Sequence, residues 1–200
     1  MPALDRRQLC VAMLALAGVR SAHAAFGFDE LMATLAQRRS GEARFDEERF
    51  VSGLDQTLRS SGTLSFSAPD HLVRQTLKPR SESFVVEGNQ LTLQRGDRVR
   101  RLALDNVPEL AAMVTALRGT LSGDGSALRR YFNATVEGAA ARWTLTLVPV
   151  DFRLLSTVRL LRIDGMHADV RVVELQLADG DRSVTTIEPL APAKARTATP

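Results

Sequence analysis

From Ala43 onward the chain is punctuated by short runs in which apolar and polar residues alternate, and this period of two constrains the fold more than any other feature. In Gly62-Thr63-Leu64-Ser65-Phe66-Ser67, Leu64 and Phe66 alternate with Thr63, Ser65 and Ser67, giving one greasy face and one wet face. Ala68-Pro69-Asp70 then interrupts the run and turns the chain toward His71-Leu72-Val73-Arg74. Similar runs predict strands at Ala43–Val51, Thr57–Phe66, Leu72–Lys78, Ser83–Glu87, Gln90–Arg95 and Arg98–Leu104. Glu87-Gly88-Asn89-Gln90 and Arg95-Gly96-Asp97-Arg98 read as tight hairpins, so their neighbours should pair antiparallel. Ser60-Ser61-Gly62 reads either as a turn or as a bulge within its strand.

Helical periodicity frames these strands. Phe28, Leu31, Met32 and Leu35 fall on one face of a helix with Asp29 as its candidate N-cap, Arg38 and Arg39 near its end and Gly41 as a stop. A second helix starts at Pro108, carries Leu110, Met113, Val114 and Leu117 at i, i+3, i+4 and i+7, and meets a natural stop at Gly119. Gly123-Asp124-Gly125 reads as a flexible linker, with Ser126 capping a third, short helix that runs to about Phe132. Strand pattern resumes at Thr135–Glu137, Arg142–Val148, Val158–Ile163, Asp169–Leu177 and Arg182–Ile187, with Ala178-Asp179-Gly180-Asp181 as a clear turn. About eleven strands and three helices without regular alternation predict a mostly β, α+β fold, in which an antiparallel sheet is covered on one face by helices.

The N-terminus has the layout of a secretory signal at residues 1–24. Arg6 and Arg7 form a positive region, Leu9–Val19 an apolar one too short to span a bilayer, and Ala22-His23-Ala24 a cleavage site. The only cysteine, Cys10, lies inside that segment, so the mature chain relies on a hydrophobic core rather than disulfides or a Cys-ligated metal. Residues 25–189 make one domain of ordinary size, and 190–200, rich in Ala, Pro and Thr, a disordered tail. Without residues 1–24 the chain carries 23 basic and 22 acidic residues, and the bases are scattered among acids. A nucleic-acid partner would need a larger basic patch with interleaved aromatics.

Candidate catalytic groups are sparse. His71 and His167 both lie beside turns, with Asp70 and Asp169 as the nearest carboxylates, and they read as surface histidines. No nucleophile elbow, zinc-helix motif or complete phosphate-binding fingerprint is present, and neither a cofactor nor a metal is expected. The pair Glu47-Glu48, between Arg44 and Arg49, reads as solvated charge in cross-strand ion pairs. The stronger candidates are apolar: Leu64/Phe66, Phe84/Val86, Leu91/Leu93, Leu102/Leu104 and Trp143/Leu145/Leu147 each supply one side of a strand. They would form either an ordinary core under the helices or the lining of a lipid-sized cavity between sheet and helices.

Behind a secretory signal, the pattern Gly-Thr-Leu-x-Phe-x-x-Pro-x-x-Leu-x-Arg at Gly62–Arg74 resembles the LolA-like periplasmic lipoprotein carriers. The early helix, Phe45, Lys78-Pro79, the Gly88-Asn89 hairpin, the strand Trp143–Pro149 and the Gly180–Ser183 hairpin follow in the family's order, over roughly Phe28 to Glu188. The resemblance implies an incomplete antiparallel β-barrel lidded by helices, with acyl chains of a lipoprotein or other lipid cargo held between them. It further implies a monomeric periplasmic carrier without catalysis, served by an inner-membrane donor complex and an outer-membrane acceptor. Pro108–Arg118 would be the lid, with Leu110, Met113, Val114 and Leu117 facing the sheet, while Met32 and Met113 adapt to varied cargo. Carriers of this kind latch the lid with an arginine directly before the strand-ending proline; here Ala68 holds that place, and Arg74 is the candidate substitute. Two other readings are a lipid-sensing regulatory module that acts on a membrane partner, and a hydrolase using His71 or His167.

Overall fold

A computed structural model describes residues 26–191, so the residues read as a secretory signal, and nearly all of those read as a disordered tail, lie outside the described residues. Eleven antiparallel strands form one continuous sheet: β1 (Ser40–Phe50), β2 (Leu58–Ser67), β3 (His71–Lys78), β4 (Glu82–Glu87), β5 (Gln90–Arg95), β6 (Arg98–Ala103), β7 (Phe132–Ala139), β8 (Arg142–Pro149), β9 (Val158–Met166), β10 (Asp169–Leu177) and β11 (Arg182–Pro189). Spatially the order is β6-β5-β4-β3-β2-β1-β11-β10-β9-β8-β7. Two meanders therefore meet where β1 pairs with β11, and β6 and β7 remain as edges of an incomplete barrel. The two hairpins expected at Gly88-Asn89 and Gly96-Asp97 close as read, with Glu87 opposite Gln90 and Arg95 opposite Arg98. Ser60-Ser61-Gly62 is the bulge rather than the turn, because the register of β2 against β3 shifts between Ser61 and Gly62. The Leu190 N–H donates to the Glu42 carbonyl, one bond beyond the last residue of β11.

The helices are α1 (Phe28–Leu35), α2 (Pro108–Ser122), α3 (Gly125–Tyr131) and α4 (Phe152–Leu155), with a 3₁₀ turn at Leu104–Asn106 that takes up Leu104, the expected last residue of the sixth strand. Their ends depart from the sequence reading in instructive ways. Gly27, not Asp29, caps α1, and Asp29 instead pairs with Arg129 of α3 at 2.8 Å. Gly119 does not stop α2. It is buried inside the helix, where an added Cβ would come within 2.9 Å of Leu128 Cγ. The helix runs one turn further and ends at Gly123, whose left-handed φ of 70° closes it. Asp124 rather than Ser126 caps α3, accepting from the Ala127 N–H at 3.0 Å and the Ser126 hydroxyl at 2.7 Å. Those bonds hold the Asp124 carboxyl below the usual carboxylate range, the Ala127 amide contributing most. Gly123-Asp124-Gly125 is thus a packed joint and no flexible linker, since a Cβ at Gly123 would sit 2.3 Å from the Met32 carbonyl and one at Gly125 2.7 Å from the Phe28 ring.

Two clusters of buried side chains result. The larger joins α1, α3 and α4 to β7–β9 through Leu31, Met32, Leu35, Leu128, Trp143, Leu145, Leu147 and Ile163. The smaller joins Val114 of α2 to Val86, Leu91 and Leu104. Helix α2 serves both, with Ala112 and Ala116 in the larger cluster and Val114 in the smaller.

Candidate functional site

Between those clusters the concave face of the sheet is not filled, and a cavity of about 1220 Å³ lies beneath α2. Ordinary small-molecule pockets occupy about 300–1,000 Å³, so this one suits a large or elongated ligand. Its roof is Leu110, Met113, Val114 and Leu117, the face of α2 that the sequence pointed to the sheet. Its floor includes Leu64, Phe66, Phe84 and Leu93.

The remaining candidates lie elsewhere. Val86, Leu91, Leu102 and Leu104 are sealed against Leu110 and Val114 of α2. Trp143, Leu145 and Leu147 are 1 % exposed or less, in the larger cluster with residues of all four helices. Strand register explains the division on the β2–β6 side. Phe66, Leu72, Val86, Leu91 and Leu102 stand side by side in one cross-strand row under α2. Leu64, Arg74, Phe84, Leu93 and Arg100 form the next row, two residues further along each strand and away from the helix. On β8, by contrast, Trp143, Leu145 and Leu147 are all buried in a cluster to which all four helices contribute.

The far wall was not foreseen. It is made by Val170, Val173 and Leu175 of β10 and Ile187 of β11. Apolar residues occur at both parities between Val170 and Leu177, and a register shift between Val170 and Val172 moves the inward face from even to odd positions. A sequence reading of period two has no means of placing that shift.

The polar groups of the cavity are organised. Glu47 Oε2 accepts from Arg74 Nη2 at 2.7 Å and from the Ser60 hydroxyl at 2.9 Å. The Arg74 guanidinium lies 4.1 Å over the Phe45 ring, which covers Gly62; an added Cβ there would meet the Gln75 carbonyl at 1.9 Å and the ring at 3.0 Å. Glu47 is thus a cavity group and not solvated charge, while Glu48 keeps the expected cross-strand partner in Arg59. Arg74 is engaged by the floor of the cavity rather than by the lid helix.

The contact between helix and sheet comes from Arg118 of α2. Its Nη2 donates to the Asp70 carbonyl at 2.7 Å and the Gly88 carbonyl at 2.6 Å, tying α2 to the β2–β3 and β4–β5 turns. Burial lowers the pKa of this guanidinium, against the opposing pull of the Asp70 charge. The carboxylate next to His167 is committed elsewhere, since Asp169 pairs with Arg38 and Arg171. The His167 carbonyl accepts from the Trp143 indole at 2.9 Å. No group of three His, Cys, Asp or Glu side chains close enough to hold a metal occurs among the described residues, and no described helix is long and apolar enough to cross a membrane.

An unclosed half-barrel with a helix laid across an apolar cavity defines the class of protein. Residues 20–200 match the family described as outer membrane lipoprotein carrier protein LolA-like, and the chain belongs to that family. Similar solved structures include a LolA superfamily protein from Nitrosomonas europaea (10 % identity, 84 % of this chain and 96 % of that one, TM-score 0.44). Another is a putative outer membrane lipoprotein-sorting protein domain from Vibrio parahaemolyticus (11 %, 84 % and 94 %, 0.45). A third is the MucA/MucB complex of Pseudomonas aeruginosa (14 %, 84 % and 59 %, 0.44). A search of the curated proteins finds no match to this sequence.

Proposed function

We propose that the protein is a periplasmic carrier that takes the acyl chains of a lipoprotein or related lipid into the cavity beneath α2 and delivers them toward the outer membrane, without catalysis. The cavity itself carries this reading: about 1220 Å³ bounded by Leu64, Phe84, Leu93, Met113, Leu117 and Val173, where a packed protein of this size would have side chains in contact. The physical task is large. Moving a chain of roughly sixteen carbons through water exposes on the order of 12 kcal/mol of apolar surface, and a shuttle must cover it reversibly. Displacing a helix does this without making or breaking a covalent bond. Membership of the LolA-like family and the secretory layout of residues 1–24 support the compartment and the cargo class. A donor complex in the inner membrane and an acceptor in the outer membrane belong to the same reading.

Native mass spectrometry with lipid extraction, on mature protein from a periplasmic fraction, tests it. A stoichiometric acylated species is the expected outcome, and Leu64→Trp, which fills the floor, should remove that species while leaving the fold intact. A clean apo mass together with no binding of a fluorescent fatty acid would sink the proposal.

A further inference from the structure

Three successive cross-strand rows of the concave face differ in chemistry. Phe66, Leu72, Val86, Leu91 and Leu102, nearest α2, are entirely apolar. The middle row mixes Leu64, Phe84 and Leu93 with Arg74 and Arg100. In the third row, beside the β3–β4 and β5–β6 connections, Thr76 stands opposite Glu82, Glu82 opposite Arg95, and Arg95 opposite Arg98. The cavity therefore runs from a greasy end under the helix to a charged end away from it. Five arginines border it at that charged end, namely Arg49, Arg80, Arg95, Arg98 and Arg100, with Glu47 and Glu82 the carboxylates among them.

Composition does not explain this concentration, because the chain as a whole carries 26 basic against 23 acidic residues. Ion pairing does not consume it either. Glu47 pairs with Arg74 and Glu82 with Arg95, but among the described residues Arg49, Arg80, Arg98 and Arg100 have no carboxylate partner. Guanidinium groups fit oxyanions through paired N–H donors. From this gradient we infer that the cavity is built for an anionic amphiphile, its acyl chain under α2 and its carboxylate, phosphate or sulfate head among Arg80, Arg98 and Arg100. The inference rests on the acyl-binding reading above and names the chemistry of the cargo's head.

A matched pair of fluorescent sixteen-carbon probes separates the two readings: one ends in a carboxylate and the other in an alcohol, each titrated into the full mature chain. The carboxylate probe should bind about tenfold more tightly at low salt, with the gap closing as salt screens the rim over ~10 Å at 0.1 M. In Arg98→Gln/Arg100→Gln the carboxylate probe should lose its advantage, its affinity falling to that of the alcohol probe for the same variant. Arg49→Gln/Arg80→Gln repeats the test on other elements should the first pair disturb the β6 edge. Equal affinity of both probes for the wild type overturns the assignment of the head while leaving acyl binding intact. Binding of neither probe overturns both. An inorganic-phosphate arm distinguishes a lipid head from a free anion: displacement of the carboxylate probe by micromolar phosphate would overturn the amphiphile in favour of a simple anion site.

Discussion

The two meanders of this sheet present the same kind of inner face and use it in opposite ways. On β8 and β9, Trp143, Leu145, Leu147 and Ile163 are at most 1 % exposed, because they pack in one cluster with residues of α1, α2, α3 and α4. On β2–β5, Leu64, Phe84 and Leu93 are only half-buried, because α2 reaches the row at Val86 and Leu91 and leaves the next row uncovered. Each half even contains an aromatic ring laid over a strand glycine. Trp143 covers Gly165, where an added Cβ would meet the ring at 2.1 Å, and Phe45 covers Gly62. In the first half the ring is sealed in the core; in the second it is the platform for Arg74 at the cavity floor. Alternation in sequence thus specifies a greasy face, and helix placement decides whether that face becomes core or cavity.

The sharpest way to break the comparison is one substitution made on both sides. Leu145→Ala should cost about 3 kcal/mol, within the range for emptying a fully buried leucine site. Leu93→Ala removes the same atoms from a wall that already borders a cavity, so it leaves few new orphaned contacts and should cost about 1 kcal/mol or less. Urea unfolding of both variants checks this. Equal costs would mean that the β2–β5 side is packed in solution. Leu93→Ala should in addition weaken fatty-acid probe binding, and Leu145→Ala should leave the affinity of the folded fraction unchanged.

Arg118 tests whether the two halves are separately movable. It ties α2 only to the turns at Asp70 and Gly88, both on the cavity side, whereas Ala112 and Ala116 hold the helix to the packed side through apolar contact. Arg118→Ala should speed release of a bound fluorescent fatty acid by about tenfold, for the loss of two charge-assisted bonds to carbonyls. Stopped-flow dilution reads this directly. A release rate that stays put would mean that α2 is held by its apolar faces alone.

Much of this was written in local sequence. The eleven strands, their hairpins and the inward face of α2 follow from period-two and period-3.6 patterns that each element carries within itself. What was missed depends on neighbours distant in sequence. Gly119 looks like a helix stop until Leu128 is packed on it, and Asp124 out-competes Ser126 as a cap through bonds made at the α2–α3 joint. The strand read as Val158–Ile163 runs on to Met166, and Trp143 lies over Gly165 in that added stretch. The division of candidates between core and cavity is of this second kind. Phe84 and Val86 are equivalent by pattern, and only the reach of α2 separates them. The polar contact between α2 and the sheet was equally hidden, since Arg118 lies 48 residues beyond the Asp70 carbonyl that it meets.

The smallest effect distinguishes the two faces of β10. Inward, Val173 and Leu175 border the cavity; outward, Glu174 accepts from Arg182 Nε at 2.7 Å and from the Gln176 amide at 2.7 Å. The Arg182 bond, more than any other cause, holds the Glu174 carboxyl below its ordinary value. A carboxyl whose folded pKa is depressed stabilises the fold at pH values above its unfolded pKa, about 4.3, and that contribution is lost as pH falls through the lower folded value. Glu174→Gln should therefore lower Tm at pH 7 by roughly 2–4 °C, corresponding to about 1 kcal/mol for a chain of this size, and should narrow the gap to wild type progressively below about pH 4. Because the pair lies on the opposite face from the cavity, fatty-acid probe affinity at pH 7 should not change. A drop in affinity with no change in acid stability would mean that the outer face of β10 steers the cavity wall, and that the two faces are not independent.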